Sequence, residues 1–197
     1  MGRTSDARER LILAARGLFH ANSYESVSVD DLCREADVRK GSFYHFFPSK
    51  RDLAIATLDA YWERTRTEVI DPALTGDDPP LARIERLFLL AASHQGKLKK
   101  SNGHFLGCAF GNLTMEMSTQ DETLRTHLNA IFDRFAGRIE AVLAEAAARG
   151  EMNPNDVSAG ARTVLSLLYG SILLAKAAND EQILKENARR AVALLAR

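Results

Sequence analysis

The chain has 197 residues, 46% hydrophobic, 26% charged and 7% aromatic, a globular composition rather than a disordered or fibrous one. Lysine plus arginine (26) equals aspartate plus glutamate (26), so overall charge points to no nucleic-acid partner. No run approaches eighteen uninterrupted apolar residues, and Met1-Gly2-Arg3-Thr4-Ser5-Asp6 has no apolar signal core, so no membrane and a cytoplasmic location are expected.

Leu11, Ile12, Ala15, Leu18 and Phe19 recur at helical spacing, with Ser5 as the expected N-cap. A second helix is predicted through Val29, Leu32 and Ala36, opened by a capping box in which Ser28 and Asp31 serve each other's amides. Val38 to Phe47 makes a short third helix. Ser49 and Asp52 repeat the capping signal ahead of a long helix through Leu53, Ala56, Leu58 and Tyr61, which Asp71-Pro72 and Thr75 to Pro80 should break. Asp78 is the expected cap of the next helix, with Pro79 in the first turn, where a missing amide costs nothing. That helix carries Leu81, Ile84, Leu87, Phe88 and Ala91 and fades over Lys97 to Gly103. A short segment from Phe105 to Met117 precedes a clean run at Leu124, Leu128, Ile131, Phe132, Phe135, Ile139, Val142 and Leu143. The last two helices are predicted at Val157 to Ala178 and Glu181 to Ala196, hinged at Asn179-Asp180. With about nine helices, no β-alternation and no internal repeat, the fold is all-α.

Three short helices with a four-residue turn at Ala36-Asp37-Val38-Arg39 fit a helix-turn-helix, whose second helix enters the DNA major groove. Residues 1–52 hold nine basic and eight acidic side chains, but residues 39–51 contain Arg39, Lys40, Lys50, Arg51 and His45 with no acid. That local pattern suits phosphate neutralisation. Gly41 lets backbone approach a duplex, and Ser42, Tyr44 and His45 offer donors beside it, whereas Phe43, Phe46 and Phe47 should face the core. A solvated basic turn accounts for the same spacing, so the pattern alone leaves both readings open.

The run Leu11 to Phe19, then Tyr24, Ser28-Val29-Asp30-Asp31-Leu32, Val38-Arg39-Lys40-Gly41-Ser42-Phe43-Tyr44-His45-Phe46-Phe47 and Ser49-Lys50-Arg51-Asp52-Leu53 closely resembles the N-terminal domain of the TetR family of repressors. The resemblance implies a dimeric, ligand-responsive regulator of double-stranded DNA. Its helix-turn-helix domain would occupy residues 1–52, and its effector-binding and dimerisation domain residues 53–197. Carried over position by position, Ser28, Arg39, Lys40, Gly41, Ser42, Tyr44 and His45 are expected at a palindromic operator, with Lys50 as a phosphate clamp. Ser23 stands where the family usually has glycine, which asks Asn22 or Ser23 for a left-handed conformation.

Gly107-Cys108-Ala109-Phe110-Gly111-Asn112-Leu113-Thr114-Met115-Glu116-Met117 resembles a Gly-Cys…Asn-Leu…Glu pattern in a TetR branch that includes the repressor of N-ethylmaleimide reductase and acrylate-responsive regulators. Some members of that branch respond to electrophiles through a cysteine. A sensing thiol needs thiolate character, from a helix N-terminus or a nearby cation. Cys108 lies near a predicted helix start, and Lys176 is the only charge between Thr163 and Asn179, so their approach is one reading. The other is a buried Cys108 with Lys176 reaching solvent. Cys33 should be core, and two cysteines are too few for a disulfide framework. Trp62, Phe88, Phe110 and Phe132 are an aromatic stripe of the kind that builds cores. In the family the same helices surround the effector, so these four, with Cys108 and Lys176, are the expected effector-binding positions.

Ala161, Gly170, Ser171 and Ala175, with Ile183, Leu184, Val192 and Leu195, suggest a four-helix interface between two copies of the chain. His20, His45, His94, His104 and His127 show no metal-ligand spacing, and no phosphate loop, catalytic carboxylate pair or serine elbow is present. No catalytic residue, metal or cofactor is therefore expected. The alternative function is a helical small-molecule carrier or thiol enzyme that kept the fold without binding an operator.

Overall fold

The structure, a computed structural model, describes residues 3–195. Helices follow one another without a strand among the described residues: α1 (Arg3–Ala21), α2 (Val29–Glu35), α3 (Lys40–Phe46), α4 (Lys50–Thr65), α5 (Asp71–Leu74), α6 (Pro80–Asn102), α7 (Ala109–Met117), α8 (Glu122–Ala148), α9 (Val157–Ala178) and α10 (Gln182–Ala193). α4 reaches α5 through a π turn at Arg66–Ile70, so the expected count holds when the two are taken together. The chain forms two compact units, one from its start to Arg64 with Ala109–Leu128, the other from Thr65–Cys108 with residues 129–197. The boundary expected between residues 52 and 53 falls inside α4.

In the first unit, α1, α2 and α3 close on one core in which Leu11, Ala15, Leu32, Phe43 and Leu53 are wholly buried. α2 begins as its sequence demands. The Asp31 amide donates to Ser28 Oγ at 3.1 Å and the Ser28 amide donates to Asp31 Oδ2 at 3.0 Å. These bonds from Ser28, with Arg34 beside them, hold the Asp31 carboxyl below its ordinary 3.8. Ser49 likewise accepts the Asp52 amide, at 3.2 Å. The turn between α2 and α3 puts Asp37 at φ +50°, and Arg10 donates to its carbonyl at 3.0 Å. Two expectations fail here. α1 already runs from Arg3, ahead of the Ser5 cap. Neither Asn22 nor Ser23 is left-handed, because Ser23 makes a local turn instead, its Oγ accepting the Ser26 amide and its carbonyl the Ser26 hydroxyl.

In the second unit the helix does not break at Asp71-Pro72. The π turn ahead of Pro72, closed by the Asp71 amide on the Arg66 carbonyl, shifts the ladder where proline has no amide to give. α6 opens one residue later than expected, with Pro79 at the cap, and Asp78 pairs with Arg86 instead. Rather than fading at Lys97, α6 continues to Asn102, since Lys99 and Lys100 suit a helix C-terminus and Gly103 supplies the left-handed cap at φ +79°. Asn179, left-handed at φ +53°, ends α9. The predicted end of α10 at Ala196 lies outside the described residues. Pro154–Ala178 is long and apolar enough to cross a membrane by length and composition, although polar residues interrupt it. One face of α9, with Ala161, Val164, Leu168 and Ala175, is nevertheless buried in its own unit.

Candidate nucleic-acid interface and effector site

Phe43 and Phe47 anchor α3 from beneath, both buried with ring centroids 6.2 Å apart. Helical periodicity then turns Lys40, Gly41, Tyr44 and His45 outward and leaves Ser42 half-buried. Phe46, expected in the core, is half-buried against His45 at 4.9 Å. Tyr44 is 51% exposed and meets Phe43 edge-on at 5.1 Å. Arg39 is exposed at the N-cap of α3, where it makes no side-chain cap bond. Lys40 lies 2.8 Å from Asp30, and that bond raises its pKa, so it stays cationic. A Cβ on Gly41 would meet nothing within 4 Å, so backbone is open to approach there. Ser28 is exposed, its hydroxyl shared with Asp31.

Lys50 is placed differently from a free phosphate clamp. Its ammonium donates to the carbonyls of Tyr24 (3.0 Å) and Val27 (3.1 Å) and lies 4.1 Å above the Tyr24 ring. Two of its three N–H groups are committed to the turn between α1 and α2, which leaves one for an anion. Tyr24 is buried, and burial followed by the charges of Asp121 and Glu25 pushes its phenol up to about 12. The amides of Tyr24 and Glu25 donate to the two carboxylate oxygens of Glu116, at 2.9 and 3.0 Å.

In the second unit, Cys108 is a buried thiol whose Sγ lies 3.6 Å from the Tyr169 hydroxyl. Tyr169 meets Phe132 edge-on at 5.0 Å. Gln95, also buried, donates its Nε2 to the Gly107 carbonyl at 3.2 Å, and its Oε1 has no hydrogen-bond partner among the described residues. Lys176 is exposed on α9, seven residues beyond Tyr169 and so two turns further along. Phe88 is fully buried on α6. Trp62 and Phe110 belong to the first unit, where both are buried 6.4 Å apart with Tyr61 edge-on to Phe110. The six expected effector positions therefore divide between the units. Cys33 is buried in α2, and that burial pushes its thiol up.

Residues 11–57 match the bacterial regulatory proteins, tetR family, and residues 80–192 match the tetracyclin repressor-like C-terminal domain. The chain belongs to the TetR family. It is 35% identical to the transcriptional regulator AcuR of Cereibacter sphaeroides, over 86% of this chain and 76% of that protein. It is 27% identical to the transcriptional repressor NemR of Escherichia coli K12, over 75% of this chain and 70% of that one. The solved regulatory protein TetR from Rhodobacter sphaeroides matches with a TM-score of 0.83 at 30% identity, covering 96% of this chain and 99% of that chain. As a TetR-family member the chain is a DNA-binding transcriptional regulator with an N-terminal helix-turn-helix and a C-terminal ligand-binding domain. No local signal marks Tyr169, one polar tip in an apolar run, as the neighbour of Cys108 in this TetR-family chain. Glu116 was legible as a motif residue, but its partners, the amides of Tyr24 and Glu25, lie 92 and 91 residues away.

Proposed function

We propose that this regulator is a repressor that binds a palindromic operator as a homodimer and is released by a small hydrophobic or electrophilic effector. Residues 1–52 would read the DNA and residues 53–197 hold the effector and the partner. The observation that carries the reading is the α3 face, where Arg39, Lys40, Gly41, Tyr44 and His45 are exposed over a buried Phe43 and Phe47. A carrier or thiol enzyme has no use for that face. Each well-made base contact is worth about 1–3 kcal/mol of discrimination, and a two-fold dimer presents two such helices about one DNA turn apart. A gel shift with the promoter fragment of the chain's own gene tests this. A retarded band that Arg39→Ala weakens is expected, and no band at micromolar protein would refute it.

Of the positions expected at a dimer interface, Ala161, Ser171, Ala175, Leu184 and Leu195 are buried within their own chain and Gly170, Ile183 and Val192 are half-buried, whereas Leu173, Leu174 and Leu194 are 58%, 57% and 63% exposed. These leucines supply the apolar area that an isologous interface needs, and such symmetry matches a palindrome. For the effector, the Cys108 thiol beside the Tyr169 hydroxyl supports an electrophile, and the unpartnered Gln95 oxygen supports a ligand bearing a donor. Release requires that the effector favour the conformation unable to bind DNA, since equal affinity for both shifts nothing. A cytoplasmic location goes with a chromosomal partner.

A further inference from the structure

Glu116 belongs to the same motif as Cys108, yet it has no part in the reading above. Its two carboxylate oxygens take the Tyr24 and Glu25 amides, one each, in the connection between α1 and α2. Residues in that connection have no helix to satisfy their amides. The carbonyl side of the same turn is held by Lys50, through Tyr24 and Val27. Tyr24 therefore has its amide, its carbonyl and its ring face each engaged by a charged group, while the ring packs on Phe19 at 5.2 Å. Val27 directly precedes Ser28, the cap of α2, and α2 shares its core with α3 through Leu32 and Phe43.

We propose that Glu116 is a positioning residue for operator binding. By clamping the Tyr24 and Glu25 amides it fixes the entry into α2, and so the angle at which the helix-turn-helix meets DNA. α7 is the element that delivers this control. An ionised carboxylate suits the task because it only accepts, and it can serve two convergent donors at once. Glutamine keeps the length but turns one of the two acceptors into a donor facing an N–H.

The test uses the full chain and a DNA duplex selected from a random library by the wild-type protein. Glu116→Gln should weaken binding to that duplex by about tenfold or more, the order of one lost charge-assisted bond. Amide exchange at Tyr24 or Glu25 should accelerate, while the Asp31 amide, served by Ser28, keeps its wild-type protection. Glu116→Ala lacks the opposed N–H and should weaken binding too, which separates the lost acceptor from an introduced repulsion. Met115→Ala, 81% exposed on the same helix, should change neither readout. Binding by both Glu116 variants within twofold of wild type, or wild-type exchange at residues 24 and 25, would overturn the proposal. So would a loss that tracks the urea midpoint with Asp31 equally deprotected, which would make Glu116 a general stabiliser.

Discussion

Replacing Lys50 with methionine keeps the aliphatic stem and removes the ammonium, and so separates a turn-holding role from a phosphate-binding one. Two bonds to carbonyls are lost, and bonds to charged groups contribute about 1.5–3 kcal/mol each, with the half-buried setting favouring the lower figure. The ring contact with Tyr24 adds about 0.5–1 kcal/mol. Water reaching the vacated carbonyls offsets part of this, so a loss of about 2–3 kcal/mol is expected. For a chain of this size that lowers Tm by roughly 5–10 °C. Urea and thermal melts at one fixed protein concentration measure it, with the buried single tryptophan, Trp62, as the fluorescent probe. Operator affinity measured against salt supplies the second readout. If the remaining N–H meets a phosphate, the slope of log K against log salt falls by about one. A variant melting within about 0.5 kcal/mol of wild type would refute the turn-holding role.

Arg39→Ala should relax base preference by about 1–3 kcal/mol at one position of each half-site, measured by competition between duplexes. Asp31→Asn should be less stable than wild type at neutral pH. Because the folded Asp31 carboxyl lies below its ordinary 3.8, its stabilisation is present above that value and disappears as pH falls through the folded one. The gap between the two acid-melt curves should therefore close below pH 3.8, and a gap persisting in strong acid would count against the capping box. Cys108→Ser should bind operator normally and lose release by electrophiles, whereas Cys33→Ser should keep it, and normal release of the Cys108 variant by the natural inducer would leave a non-covalent pocket. Leu173→Glu should yield monomers by light scattering at micromolar concentration, and an unchanged dimer would move the interface elsewhere.

Much of the fold was legible because local signals agreed with one another. The Ser28 and Asp31 box, the four-residue turn before Lys40 and the apolar period of α8 each state their element within a few residues. Boundaries slipped where a tertiary or backbone choice competed. The proline at 72 reads as a breaker, yet a π turn absorbs it, and Asp78 reads as a cap, yet Arg86 claims it. The exposed face of α3 followed from helical spacing around Phe43. The partners of charged and sulfur groups did not. Cys108 meets Tyr169 and Lys50 meets two carbonyls, and such pairings depend on how distant segments fold back. The small residues of α9 were legible as a contact stripe but not as a contact with the chain's own core.

Asp37 carries a consequence for how this gene tolerates change. Its φ of +50° belongs to a region that glycine and asparagine enter readily and β-branched residues resist. One base change in an aspartate codon reaches glycine, asparagine, alanine, valine, glutamate, histidine or tyrosine. Asparagine and glycine keep the backbone shape but give up the charge that faces Arg10 at 3.5 Å, and valine keeps neither. The turn thus sits in a narrow patch of mutational space, where every single-base replacement gives up the backbone preference, the contact with Arg10, or both.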